Sequence, residues 1–341
     1  MKTKNLVTLS LAALVLGVGA YFTSSNSRVR TPKLNGKRIT CDFNISDVGA
    51  VEIAGKLRVS ATADGWKVDS KYGYPASIDK VRENVLKLHD LKVGQVARRT
   101  ISNLTKVEIK DLKGKALASI ELGDKHMSKP RGQMAAFGGG YPDARYLKFE
   151  GQTVLVKDSL PEFDGDLKSW ADTRICEVPS AEIVKVEFSS KSETLNLEKK
   201  DSSWLLKGLG EKEELDSSKT YSLDGALSYL DFADIADPKL TEAELGFTTG
   251  FLYRVTLKNG KSYTAALGNE LQTGERYFKV SASFSPAGTN SVENASLQKE
   301  VEQFNKKVSS WTYVIASYSA SQMTKKRSDL VKAKEEPKKK D

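Results

Sequence analysis

The sequence contains two similar halves, and this internal repeat constrains the fold more than any other feature. The spacing from Cys41 to Glu52 equals that from Cys176 to Glu187. An apolar set at helical spacing also recurs in each half, first as Leu160, Phe163, Leu167 and Trp170 and then as Val301, Phe304, Val308 and Trp311. Because self-similarity at this scale marks repeated structural units, the sequence predicts two domains of one type. The stretch 170–183 closes the first and opens the second.

Alternating apolar and polar residues predict an antiparallel sheet in each copy. In the first copy the predicted strands are residues 51–59, 66–72, 106–112, 115–122 and 145–149. In the second copy they are residues 185–197, 203–207, 252–257, 261–267 and 276–280. Trp66 and Trp204 follow equivalent turns, which predicts that both anchor a sheet against a helix.

Helices are predicted between and after these strands. Ser77 is placed as the N-cap of an amphipathic helix with the apolar stripe Ile78, Val81, Val85 and Leu88. The corresponding stripe of the second copy is Leu223, Ala226, Leu227, Leu230 and Phe232. A last helix is predicted over residues 292–310, and residues 318–323 repeat the opening element 178–183 as a terminal cap. The fold class is therefore α+β, with two similar repeat domains, each an antiparallel sheet with packed helices.

The N-terminus carries the clearest targeting signal. Lys2 and Lys4 precede the uncharged stretch Leu6 to Phe22, whose length is near the short end of what spans a membrane. We expect an uncleaved signal anchor rather than a cleaved signal peptide, and both place the bulk of the chain outside the cytoplasm. The expected organisation is a signal segment 1–25, a tether 26–37, repeat domains 38–172 and 173–323, and a disordered basic tail 324–341.

The charge distribution bears on nucleic-acid binding, and the two cysteines bear on whether a disulfide forms. The net charge is +9, but part of it lies in the tail, and elsewhere Lys and Glu alternate along the predicted strands as on a solvated face. Nucleic-acid binding is therefore not expected. Cys41 and Cys176 hold equivalent positions in two bodies, so two unpaired thiols are favoured over a disulfide, which needs Cα atoms within about 7 Å.

No motif for catalysis, a cofactor or a metal emerges. The chain has two histidines, far apart in sequence, and it lacks a Cys-x-x-Cys pair, a nucleophile elbow, a phosphate loop and a dinucleotide fingerprint. No catalytic residue, cofactor or metal is predicted. A hydrolase stays a less favoured alternative, because carboxylates distant in sequence can converge in space.

The two copies differ most in one connection. The second copy has a short loop over residues 270–275, whereas the first has residues 124–143, rich in glycine and methionine. Loops of this length in compact domains are usually mobile or functional. A mobile connector is favoured, and the alternative is a partner-contact loop with the candidate residues Met127, Met134, Phe137 and Tyr141.

Three segments carry a family resemblance: GWKVDSKYGYPAS at 65–77 with its helix, ERYFKV at 275–280, and the closing element from Trp311 to Ala320. They resemble bacterial proteins with the domain of unknown function 4340, over about residues 51–330. Members are typically anchored by one N-terminal helix, and some are encoded beside ABC-type transporter components related to gliding-motility auxiliary proteins. The resemblance implies an accessory role at the cell envelope and supplies no catalytic residues.

The leading expectation is thus a non-catalytic, membrane-anchored extracytoplasmic module that supports an ABC-type envelope transport system by contact with a membrane protein. The alternative is a structural protein that binds glycan or another envelope polymer, with the contact candidates Tyr141, Tyr146 and Tyr277. Any small-molecule ligand is unspecified by the sequence.

Overall fold

The fold is α+β, with mostly antiparallel sheets and a few helices. The structure, a computed structural model, describes residues 34–40, 42–129, 140–201, 203–220, 222–286 and 290–334. Its strands are β1 Val48–Ile53, β2 Leu57–Thr62, β3 Gly65–Val68, β4 Tyr74–Pro75, β5 Gln95–Val96, β6 Thr105–Asp111, β7 Ala116–Met127, β8 Pro142–Phe149, β9 Gln152–Val156, β10 Arg174–Cys176, β11 Ile183–Ser189, β12 Thr194–Lys200, β13 Ser203–Leu206, β14 Glu213–Leu215, β15 Leu230–Asp231, β16 Asp234–Ile235, β17 Phe251–Leu257, β18 Lys261–Glu270, β19 Arg276–Phe284, β20 Tyr313–Ile315 and β21 Val331–Ala333. Its α-helices are α1 Ile78–His89, α2 Ser291–Val308, α3 Ser317–Met323 and α4 Arg327–Leu330.

The chain divides into two compact units that are discontinuous in sequence. The first consists of the residues up to Ala54 and of Arg82–Asp164, and the second of Gly55–Val81 and of the residues from Gly165 onward. The expected domains, 38–172 and 173–323, are by contrast continuous. Residues 55–81, which the repeat assigns to the first copy, therefore group with the second unit.

Six strands of the first unit lie side by side in the order β1-β6-β7-β8-β9-β5, and each pairing is antiparallel. Leu147 is paired with Leu122 on one side and Val154 on the other, and all three are buried. Alternate residues of a strand share a face, so this row forms part of one apolar surface. The predicted hairpin at 106–122 is β6–β7, with Gly114 at φ 84° in its turn.

Eight strands of the second unit form a sheet in the order β13-β12-β11-β17-β18-β19-β20-β16, again with antiparallel pairings. Tyr253 lies between Phe188 and Ala265 in a buried row across three strands. Helix α2 packs on β19, where the Asn305 side-chain amide both donates to and accepts from the backbone of Ala282 at 2.8 Å.

Residues 55–81 join the second unit through side-chain contacts. The Tyr74 ring meets Phe232 and Trp311 edge-on, at centroid distances of 5.1 and 4.9 Å. Nearby, the ammonium of Lys71 donates to the Asp234 carboxylate at 2.6 Å. The contacts of Tyr74 combine apolar burial with an aromatic geometry that stabilises by about 1 kcal/mol beyond area alone.

Each predicted repeat has three strands at its start where the sequence predicted two. The predicted strand 51–59 is β1 and β2, separated at Gly55, whose φ is 71°. The predicted strand 185–197 is likewise β11 and β12, joined through residues 190–193. In both cases buried residues alternate on each side of a short polar turn, so the apolar pattern continues through it and conceals the break.

Two predicted helical stripes are buried without being α-helices. Residues 222–229 form consecutive turns, although Leu223 and Leu227 are fully buried. Gly225 within this run disfavours a helix by about 1 kcal/mol relative to alanine. In the stripe from Leu160 to Trp170, Phe163 and Leu167 lie on two short 3-10 helices, Pro161–Asp164 and Leu167–Ser169, and Leu160 and Trp170 flank them.

The predicted last helix is confirmed as α2, and the cap at 318–323 is helix α3. The expectation of a disordered tail from 324 is wrong for residues 327–333, because β21 pairs with β14 and Leu330 is fully buried. No helix in the described part of the chain is long and apolar enough to span a membrane. The predicted anchor at 6–22, Cys41 and residues 335–341 lie outside the described residues.

Candidate functional site

The β7–β8 hairpin carries the strongest candidate site of the first unit. Its ladder extends to the pair Met127 and Pro142, and the Ser128 N–H then donates to the Tyr141 carbonyl oxygen at 2.8 Å. The predicted loop 124–143 is therefore strand at both ends. The Met127 and Tyr141 residues are 51% and 62% exposed. The candidates Met134 and Phe137 lie outside the described residues.

A buried arginine holds the base of this hairpin. Arg145, on β8, donates to the carbonyl oxygens of Gly123 and Leu160 and to the Asp164 carboxylate, each at 3.0 Å. Lys125 pairs with the same carboxylate. Hydrogen bonds between charged groups at partly buried sites are stronger than neutral ones, so they fix the hairpin base and leave its end to present side chains.

A row of polar and aromatic groups lies beside the exposed residues. The Nδ1 atom of His126 is 2.6 Å from Asp143 Oδ1, and its ring lies 6.0 Å from that of Tyr146. Arg99 stands over the Tyr146 ring with its Cζ at 4.8 Å and also pairs with Asp124 at 3.6 Å. Arg99 and His126 both contact Tyr146. They were not predicted as site residues, because no local sequence pattern connects residue 99 with residue 146.

Two of the three tyrosines proposed for glycan contact, Tyr141 and Tyr146, lie five residues apart along one arm of the hairpin. Tyr141 is exposed. Arg99 and His126 contact the Tyr146 ring, so part of that ring is not available to a sugar. Tyr277 lies on β19 of the second unit and is half-buried. Arg276, its neighbour, donates to the Gly268 carbonyl oxygen at 3.0 Å, as Arg145 does to Gly123.

Burial in the core of the second unit raises the pKa values of several side chains, most of all that of Tyr253. Burial raises the pKa of Tyr74 to about 12, and it raises the pKa of Cys176 to about 12. The Cys176 Sγ also lies 3.6 Å from the Leu227 carbonyl oxygen as a thiol donor. Both shifts favour the neutral form, so these side chains are held protonated. Among the residues described, no group of three His, Cys, Asp or Glu side chains could hold a metal ion.

Comparison with known proteins returned one family. The model of the family described as "Domain of unknown function (DUF4340)" matches residues 66–249, more than half of the chain. The matched region includes the whole β7–β8 hairpin and the stretch 170–183. Neither the curated proteins nor the solved structures include a match.

Proposed function

The chain belongs to the family of the domain of unknown function DUF4340, and from this premise we propose that it is a non-catalytic accessory module anchored in the cell membrane. Its bulk lies outside the cytoplasm and contacts a membrane protein, with an ABC-type envelope transport system as the machinery it supports. The uncharged stretch at residues 6–22 and the family resemblance support this role.

The β7–β8 hairpin is the proposed contact surface, and the exposure of Met127 and Tyr141 is the observation that carries it. Methionine adapts to irregular partner surfaces, and tyrosine supplies a large amphipathic contact area. The row of Asp124, His126 and Asp143 beside them supplies the polar rim that surrounds the apolar centre of a typical interface.

The rigidity of the hairpin base supports the same proposal. Arg145 binds three separate backbone or carboxylate oxygens, so the strands need little further ordering when a partner binds. Ordering of loops and side chains at an interface costs affinity, and a preformed hairpin avoids much of that cost.

We also propose that the two copies arose from one duplicated unit. The strand order β1-β6-β7-β8-β9-β5 matches the order β11-β17-β18-β19-β20-β16. Register shifts occur at equivalent places, after Val48 and Ile183 and after Leu122 and Leu267. β-bulges re-aim strands at defined points and persist within families, so their coincidence supports a common origin.

Site-specific photo-crosslinking tests the contact surface. A photoreactive phenylalanine at position 127 or 141 of the full chain is expected to trap one membrane protein in intact cells. Position 112 is the matched control, because Leu112 is 74% exposed on the β6–β7 turn of the same unit. Equal crosslinking from positions 112, 127 and 141, or none from 127 and 141, contradicts a contact through this hairpin.

A further inference from the structure

A pocket of about 580 Å³ opens on the second unit. It is lined by residues 177–181, from the stretch that joins the two copies, and by Ser228 and Tyr229. Its volume lies in the range of small-molecule sites, which are about 300–1,000 Å³. Among the described residues that line it, Tyr229 is the one aromatic side chain.

Ser228 carries an unsatisfied hydroxyl at this pocket. Its Oγ is buried and has no hydrogen-bond partner among the described residues. A buried polar group without a partner is uncommon and destabilises the fold. Since this hydroxyl has no hydrogen bond to lose within the described structure, rotation about its Cα–Cβ bond can turn it toward a bound molecule.

Tyr229 forms an exposed aromatic wall. The residue is 70% exposed, and the guanidinium Cζ of Arg174 lies 5.1 Å from its ring centroid. Arg174 is itself held by the Asp231 carboxylate, to which its Nε donates at 2.8 Å. The ring is therefore held in place while most of its surface faces solvent, which lowers the entropy cost of stacking a ligand on it.

The remaining groups combine apolar surface with hydrogen-bond acceptors. Pro179 and Ala181, both exposed, supply aliphatic surface, and the exposed Glu177 supplies a carboxylate at the rim. Glu177 lies 3.7 Å from Arg174 Nη1, at the limit of an ion pair, so its oxygens can still accept hydrogen bonds from a ligand.

We propose that this pocket binds a neutral pyranose sugar that carries an N-acetyl group. The apolar face of the ring stacks on Tyr229, the acetyl methyl group contacts Pro179 and Ala181, and the sugar hydroxyls bond to Glu177 and Ser228. The Glu177 carboxylate disfavours an anionic ligand by repulsion. A proline-rich peptide requires a longer aromatic groove than two short segments provide.

Saturation-transfer NMR tests this site with the β-1,4-linked disaccharide of N-acetylglucosamine as the probe. The full chain is used, in a detergent without a sugar headgroup. We expect millimolar binding, weaker binding of the glucose disaccharide that lacks the acetamide, and a loss of about tenfold in Tyr229→Ala. Tyr318→Ala is the matched control, because Tyr318 is 75% exposed in the same unit and outside the pocket.

Ser228→Ala distinguishes binding from a structural role. It is expected to weaken binding of the disaccharide by roughly threefold to tenfold without lowering the melting temperature, since it removes a hydroxyl that has no partner among the residues described. No binding by the wild-type chain overturns the proposal, as does equal weakening by Tyr229→Ala and Tyr318→Ala. Binding of a proline-rich peptide in place of the sugar, abolished by Tyr229→Ala, also overturns it. Crosslinking from position 127 is expected to be unchanged in Tyr229→Ala, so the two proposals fail separately.

Discussion

The hydroxyl of Tyr253 donates to the carbonyl oxygen of Leu223 at 2.6 Å, and both residues are fully buried in the second unit. Leu223 lies at the start of the consecutive turns that stand where the sequence predicted a helix. A carbonyl in such a segment lacks the regular partner four residues on that a helix provides, and here a side chain from β17 takes that place. This bond connects the irregular segment to the sheet.

Tyr253→Phe is expected to destabilise the chain by about 1–3 kcal/mol, because the buried Leu223 carbonyl loses its tyrosine partner. Urea denaturation followed by tryptophan fluorescence measures the change. Tyr318→Phe, on the exposed face of α3, is the control and is expected to stay within about 0.5 kcal/mol. A stability of Tyr253→Phe within that same margin contradicts the importance of the bond.

Stability is expected to fall at alkaline pH through Cys176. Burial raises its pKa to about 12, whereas an unfolded cysteine ionises near pH 8.5. Above that pH the unfolded state binds fewer protons than the folded state, so the free energy of unfolding decreases as pH rises toward 12. Between pH 8 and 9.5 the loss from this thiol is about 1 kcal/mol.

Cys176→Ala is the control for this pH dependence. Its own stability differs from that of the wild type, but its decrease between pH 8 and 9.5 is expected to be smaller by the contribution of the thiol. Denaturant titrations at matched ionic strength give both slopes. Parallel decreases in the two proteins contradict the assignment to Cys176.

Alkylation is expected to report whether the Cys176 thiol is buried in the folded chain and whether it is paired in a disulfide. In the folded chain Cys176 is buried with its pKa raised, and the thiolate is the reactive form, so iodoacetamide at pH 8 should leave it unmodified. Peptide mass spectrometry measures labelling before and after unfolding. If Cys176 is labelled in denaturant without a reductant, a Cys41–Cys176 disulfide is excluded, and if a reductant is required, the expectation of unpaired thiols is wrong.

Arg145→Met is expected to cost about 2–4 kcal/mol, because it leaves the Gly123 and Leu160 carbonyls and Asp164 without this donor. Arg276→Met, on β19, removes one backbone contact, an ion pair with an exposed Glu270 and a cation-π contact with Phe251. Its cost is expected to be about 1 kcal/mol. Thermal and urea denaturation of both variants measure the difference, and equal costs contradict the distinction between a buried and a more exposed arginine.

Replacing residues 130–139 by Asn-Gly is expected to change stability by less than about 1 kcal/mol, because Ser128 and Tyr141 already lie across the hairpin from each other and loop closure costs vary slowly with length. Met127 and Tyr141 remain in this variant. Melting temperature is measured beside crosslinking from position 127. A large loss of stability means that the removed residues pack against the unit, and unchanged crosslinking means that the partner contacts only the strand ends.

Burial was more predictable than backbone conformation. The stripe Leu160 to Trp170 is buried as its spacing predicts, yet its two inner members lie on two short 3-10 helices. The residues with the same spacing near the end of the chain, Val301, Phe304 and Val308, lie on the α-helix α2, Ser291–Val308. Pro161 and Gly165 disfavour an α-helix in the earlier stretch, and a prediction from apolar periodicity alone does not take their effect into account.

The candidate sites were less predictable, because their residues meet only through tertiary pairing. Met127 and Tyr141 follow from the loop comparison, but the contact of Arg99 with Tyr146 depends on the register of strands distant in sequence. Ser228 had no distinguishing pattern at all. Its importance depends on a hydroxyl without a hydrogen-bond partner in the part of the chain that the structure describes, which is a property of packing and not of local sequence.

The discontinuity of the second unit has a consequence for the timing of synthesis. Residues 55–81 leave the ribosome about 80 residues before the rest of their unit begins at Gly165. At 5–20 residues per second this corresponds to a delay of roughly 4–16 seconds. Phe232 and Trp311, which contact Tyr74 in the fold, are synthesised 158 and 237 residues after it, or roughly 8–32 and 12–47 seconds later at this rate. Until then the apolar surface of Tyr74 is available to chaperones but not to its own fold.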